Sequence, residues 1–223
     1  MVEPPTERAA VNPPPLPIDR RAAVVRVELD ATSWVDVVHG FVPEPDALFE
    51  HLRASLPWTQ GRSVRDGRMI PDPRLGASLR REQLAAIPIL RATGLVLENR
   101  YRIRAGGIGL VMYRDGRDSV GFHRDDEMRY LDNTVVAAVC LGATRPVVLR
   151  PCAAGPEHVF ELGNGDLYVM GGRCQADWLH ALPKVEDCGP RISALWRWTS
   201  KQGPPVSSPT HFIADAPRKR HWR

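Results

Sequence analysis

The sequence predicts a mainly β fold of the α+β kind, a sandwich or barrel with two helices from the first half packed outside it. Six short runs rich in β-branched and apolar residues crowd the second half, separated by Gly, Pro, Asn and Asp. Two helical patterns precede them. The composition, 43% hydrophobic and 25% charged over 223 residues, belongs to one ordinary domain with a sizeable core. No apolar run approaches the roughly 18 residues of a membrane-spanning helix, so a soluble chain with no membrane partner is expected.

Residues 1–20 hold six prolines, which supply no backbone donors, and read as a disordered lead-in. Val25, Val27 and Leu29 alternate with polar neighbours and begin a first strand. Pro45 then opens a helix whose Leu48, Phe49, Leu52 and Leu56 keep helical spacing. Residues 61–81 are polar and Gly- and Pro-bearing, a long loop or irregular hairpin. A second amphipathic helix is expected over Arg81–Leu97, with Leu84, Ile87, Leu90 and Val96 on one face and Pro88 starting or kinking it.

Strands are expected at Ile108–Tyr113, Asn133–Leu141, Pro146–Arg150, His158–Leu162, Leu167–Met170 and Arg191–Thr199. Asn164-Gly165 between two of them predicts a tight hairpin. The expected organisation is a domain over 21–203, its β core at 108–199, followed by a basic tail over 204–223.

Of 30 basic residues all but three are arginine, against 26 acids, and the net charge of +4 is a mild invitation to polyanions. Arg62, Arg65, Arg68, Arg74, Arg80 and Arg81 crowd the 61–81 segment against Asp66 and Asp72, a phosphate-facing surface. The four cysteines, Cys140, Cys152, Cys174 and Cys188, form no CxxC pair, and the N-terminus lacks a secretory pattern. A reducing cytoplasm is expected.

His123 and Asp125 lie two residues apart, so in an extended segment both side chains leave one face. His180, from another β region, completes two histidines and one carboxylate, a facial triad that leaves three positions open on Fe(II). Arg191 and Arg197 are separated by an even number of residues and share a strand face. Burying them calls for a carboxylate, which a dicarboxylate that also chelates iron would supply. His39, His51, His158, His211 and His221 have no partner at metal spacing, and no cysteine falls in a zinc-like spacing.

Taken in order, Tyr113-Arg-Asp-Gly-Arg-Asp-Ser-Val-Gly-Phe-His123-Arg-Asp125-Asp-Glu127, Leu141-Gly-Ala, Gly165-Asp-Leu-Tyr-Val-Met170, His180-Ala-Leu-Pro183 and Pro190-Arg-Ile-Ser193 resemble the AlkB family of Fe(II)/2-oxoglutarate-dependent dioxygenases. The resemblance runs from about Trp58 to Trp198 and implies a double-stranded β-helix, or jelly-roll, core. It implies His123, Asp125 and His180 as ligands and catalytic centre. It implies Tyr113, Arg191, Ser193 and Arg197 as the cosubstrate set, with Arg191 on the distal carboxylate of 2-oxoglutarate and Ser193 where the family often has Asn. Glu127 matches the acidic position beside the target base.

The implied reaction is oxidative dealkylation of N-methylated bases of the 1-methyladenine or 3-methylcytosine type. It consumes 2-oxoglutarate and O2 and releases formaldehyde, succinate and CO2. The implied partner is alkylated DNA, with RNA left open, and the enzyme is expected to be a monomer. The chain has no Phe, Tyr or Trp between Trp58 and Tyr101, the region from which the family usually draws its base-stacking aromatic. Either Phe122 or Trp178 substitutes, with Arg62, Arg65 and Arg68 facing the phosphates, or the substrate is a protein, a tRNA or a small molecule. A third reading is a non-catalytic nucleic-acid-binding module.

Overall fold

The computed structural model describes residues 18–65, 67–125, 128 and 130–200, and the side chain of Arg65 lies outside that description. In chain order the elements are β1 (Val25–Glu28), β2 (Ser33–Val38), α1 (Pro45–Ser55), β3 (Arg62–Arg65), β4 (Arg68–Pro71), β5 (Leu75–Leu79), a 3-10 turn (Gln83–Ala86), α2 (Pro88–Tyr101), β6 (Ile108–Tyr113), β7 (Val120–His123), β8 (Thr134–Gly142), β9 (Arg145–Pro151), β10 (His158–Leu162), β11 (Leu167–Gly172), α3 (Cys174–Asp177), β12 (Trp178–Leu182) and β13 (Arg191–Thr199). Most strands form two sheets. A seven-stranded sheet runs β1-β2-β11-β8-β13-β6-β5, a four-stranded sheet runs β10-β9-β12-β7, and β3-β4 is a separate hairpin. Every pairing is antiparallel. No helix among the described residues is long and apolar enough to cross a membrane.

The large sheet is covered on both faces, and the period-2 alternation of its strands decides which residue goes where. On β13, Ile192, Ala194 and Trp196 enter the core shared with the helices, while Arg191, Ser193, Leu195 and Arg197 line a cleft between the sheets. Strand β8 repeats the division, with Val135, Ala137, Val139 and Leu141 toward the helices and Val136, Ala138 and Cys140 toward the cleft. Both helices buttress the outer face. Phe49 of α1 lies so close to Gly142 that a Cβ there would stand 2.9 Å from its ring, and Gly94 lets α2 approach Trp196.

Several expectations are met in altered form. Arg81–Leu97 is not one helix, because Pro88 lacks an N–H and suits only a first turn; the 3-10 turn ends before it and α2 starts on it. Residues 61–81 form the β3-β4 hairpin and then β5, which joins the large sheet. Asn164-Gly165 does make a tight turn, Gly165 adopting φ +88, yet β10 and β11 belong to different sheets and do not pair. The turn is instead docked against other elements, Asn164 Oδ1 accepting from Gly142 N–H and its Nδ2 donating to Asp46 of α1. Ile18, inside the expected lead-in, is buried in the core, with Asp19 N–H donating to Phe41 O. The rest of that lead-in, residues 1–17, and the basic tail lie outside the described residues.

Candidate active site

Strands β7 and β12 pair so that His123 stands opposite His180 and Val120 opposite Leu182. Between these pairs two residues of β7 thus face one of β12, a one-residue slip of the β-bulge kind. The extra residue lets Val120 and His123, which a regular strand would send to opposite faces, both point inward. The imidazole rings lie 4.2 Å apart, centroid to centroid. His123 Nδ1 donates to Gly121 O at 2.9 Å, which leaves Nε2 as the ring nitrogen open to a metal.

Asp125 follows β7 and is 3% exposed. Arg197 Nε donates to Oδ2 at 2.7 Å and Nη2 to Oδ1 at 3.3 Å, a fork that matches the carboxylate. Burial alone would raise the Asp125 pKa, but the Arg197 cation and its hydrogen bonds hold it well below the ordinary carboxylate range. His180 is pushed down to about 3, by burial first and then by the neighbouring His123, so it is neutral near pH 7. Ligand atoms of His123, Asp125 and His180 all lie within 4.8 Å of one another. Two imidazoles and a carboxylate with this spacing can serve one divalent cation of the iron type.

The cleft has a volume of about 510 Å³. Deep within its lining is Arg191, 1% exposed, with Nη1 donating to Leu162 O at 2.6 Å and Ala143 O at 3.2 Å. No carboxylate among the described residues pairs with it, and its Nε is buried without a hydrogen-bond partner. A buried cation so placed calls for an anion. Tyr113 on β6 is the strand partner of Arg191 and also lines the cleft, as does Ser193. Burial raises the Tyr113 pKa against the opposing cations Arg74, Arg191 and Arg145, so its hydroxyl stays protonated and able to donate.

The predicted substrate contacts fare differently. Phe122 is part of the cleft lining, its ring covered by the Arg150 guanidinium at 3.8 Å. Trp178 is not available for stacking: it is 5% exposed within the core between the sheets, and its Nε1 donates to Asp30 Oδ2 at 2.7 Å. Arg62 and Arg68 are exposed on the hairpin and do not line the cleft, Arg62 Nη2 being turned back onto Met69 O at 3.1 Å. The hairpin side contributes Ser63, Asp72 and Arg74 instead. Ser63 Oγ donates to Asp72 Oδ1 at 2.7 Å, and Arg74 Nη1 donates to Ser119 O at 3.4 Å. Glu127 lies outside the described residues.

Residue-level reading also misses Arg145 and Gln175. Arg145 is wholly buried, donates to Asp118 O at 3.0 Å and Pro183 O at 2.5 Å, and stands over the Tyr113 ring at 5.8 Å. Gln175 Oε1 accepts the Asp125 backbone N–H at 2.8 Å. Neither has a sequence signal beyond its type.

Comparison with known proteins follows the same geometry. Residues 106–207 match the profile of the 2OG-Fe(II) oxygenase superfamily. The chain is 30% identical over 210 residues to alpha-ketoglutarate-dependent dioxygenase alkB homolog 3 of Homo sapiens, covering 83% of this chain and 73% of that one. It is 31% identical over 94 residues to DNA oxidative demethylase ALKBH2 of Bos taurus, 38% of this chain and 34% of the other. Among solved structures OsALKBH1 superposes with a TM-score of 0.54 at 12% identity, covering 78% of this chain and all of that one, a likeness of fold.

Proposed function

Because this chain belongs to the AlkB family of Fe(II)- and 2-oxoglutarate-dependent dioxygenases, we propose that it oxidatively removes small alkyl groups from N-alkylated bases of nucleic acid. One observation carries the reading: two histidines and an aspartate converge on one wall of a cleft in which a deeply buried guanidinium has no acidic partner among the described residues. His123, Asp125 and His180 would hold the iron. Arg191 would take the distal carboxylate of 2-oxoglutarate, with Tyr113 and Ser193 beside it on the same wall.

When bound, iron(II) with 2-oxoglutarate and O2 supplies the oxidation of an alkyl C–H bond, with succinate and CO2 as coproducts. The protein's residues set the conditions. Arg197 keeps Asp125 ionised and fixes its orientation, and burial keeps His180 neutral, which suits both to a metal beside His123. Apolar Val111, Leu182 and Leu195 exclude water from the cosubstrate end. A hydroxylated N-methyl group collapses to formaldehyde and the free base. The target base must leave the stack to reach this depth, which is least costly where methylation has already prevented Watson-Crick pairing.

The likeness to the DNA oxidative demethylase ALKBH2 supports DNA as the polymer, and RNA is the second candidate. We read the protein as a monomer of a reducing cytoplasm, the four cysteines being free. The test is mass spectrometry of methylated single- and double-stranded oligonucleotides incubated with protein, Fe(II), ascorbate and 2-oxoglutarate. Conversion of 1-methyladenine or 3-methylcytosine to the unmodified base is expected, and His123→Ala should abolish both conversion and succinate release. A second reading, a protein, tRNA or small-molecule substrate, is favoured by the hairpin's contribution to the cleft, which is Ser63, Asp72 and Arg74 with no aromatic. Succinate release confined to those classes would select it.

A further inference from the structure

Strand β7 ends at His123, so the residues after it have no ladder partner, yet Asp125 is buried and its backbone N–H needs an acceptor. Gln175 supplies one: its side chain is wholly buried and Oε1 accepts that N–H at 2.8 Å. The amide's orientation follows, since only its oxygen can face an N–H; its nitrogen is directed at Met170 Sδ, 3.9 Å away. One residue earlier, Arg124 Nη1 donates to Ala176 O at 3.0 Å. Helix α3 therefore grips two consecutive residues of the 123–125 segment. The same short helix runs directly into β12, two residues ahead of His180, and its Asp177 O accepts from Cys152 N–H beyond β9.

We propose that Gln175 is a positioning residue for the metal site. It fixes the main chain at Asp125 while Arg197 fixes the carboxylate, and so it sets the separation between the two ligands of segment 123–125 and the third on β12. The inference rests on the reading of His123, Asp125 and His180 as metal ligands. Arg197 cannot do the same work, because its fork constrains the carboxylate and leaves the backbone free. An apolar side chain at 175 would leave a buried N–H unanswered. Loss of an outer partner of a metal ligand typically weakens metal affinity by about 10–100-fold.

Cobalt(II), added alone to the full-length metal-free protein without 2-oxoglutarate or nucleic acid, is the probe, read by calorimetry and by its visible absorption band. Gln175→Leu is expected to weaken Co(II) binding roughly tenfold or more and to alter the band. Gln175→Glu, which keeps an oxygen at that place, is expected to stay within about threefold of wild type with an unaltered band. Gln175→Asn, which withdraws the oxygen by one methylene, should fall between the two and serves if the leucine variant does not fold. Wild-type affinity and an unaltered band in the leucine and asparagine variants, whatever their melting temperatures, would overturn the positioning role. Absence of Co(II) binding by the wild-type protein would overturn the metal reading and this inference with it.

Discussion

Arg191 is a buried cation that the described residues leave incompletely satisfied. Two main-chain carbonyls meet Nη1, Nε has no hydrogen-bond partner, and no described carboxylate pairs with the cation. Truncating one member of a buried charge pair costs about 2–5 kcal/mol. Arg191→Ala should therefore raise the KM for 2-oxoglutarate roughly thirtyfold or more, measured by succinate release. Arg191→Lys should recover only part of the loss, because an ammonium lacks the planar fork. At this scale the sequence speaks clearly where function depends on spacing: His123 and Asp125 two apart, and Arg191 and Arg197 six apart on one strand face. It is silent where a side chain acts on main-chain atoms, as Gln175 and Arg145 do, since a carbonyl or an N–H has no letter. Trp178 misleads for another reason. Its polar partner is Asp30, 148 residues away, and nothing near the tryptophan announces that contact.

Strand β13 has two faces with separable duties, and mutations should separate them. Trp196 is 2% exposed against α2, so Trp196→Ala should destabilise the protein by about 3–5 kcal/mol, which lowers Tm by roughly 10 °C, while leaving the KM for 2-oxoglutarate unchanged. Thermal unfolding and steady-state kinetics on one preparation would test both halves. The β1-β2 turn offers a pH-dependent counterpart. Asp30 caps Thr32 and Ser33 N–H and accepts from Trp178, and although burial opposes the shift, these bonds lower its pKa from 3.8 to about 2. A depressed carboxyl stabilises the fold above its unfolded value and loses that effect as pH falls through its folded value. The Tm difference between wild type and Asp30→Asn should accordingly be constant above pH 5 and shrink between about pH 4 and 2. Strands β6, β10 and β13 fall at their expected bounds, β6 as an unbroken apolar run. Strand β2 was not legible, because its polar Ser33 and Asp36 are buried along with Val35, Val37 and Val38, so neither an apolar run nor an apolar-polar alternation marks it.

For the molecule as a whole, the net charge of +4 equals the four positive charges that Arg218, Lys219, Arg220 and Arg223 place at the end of the chain. Contacts between such residues and phosphate release counterions and make affinity fall with salt. Removing residues 204–223 should leave turnover on a short methylated oligonucleotide intact, weaken binding at low salt, and flatten the dependence of log Kd on log salt concentration. Fluorescence anisotropy across a salt series would measure it, and an unchanged slope would assign the tail no part in binding. The sandwich itself was legible from many short strands and two flanking helices, while the exchange of sheets at Asn164-Gly165 was not, because a tight turn fixes a reversal of the chain and not the partner it pairs with. The alternation of β13 has a final consequence, for descent. Inserting or deleting one residue between Arg191 and Arg197 would turn one arginine toward α2 and bring a core side chain into the cleft, a change that no single substitution repairs. Lineages of this fold can therefore vary β13 only letter by letter, whereas the exposed connection at 152–157 is free to lengthen or shorten.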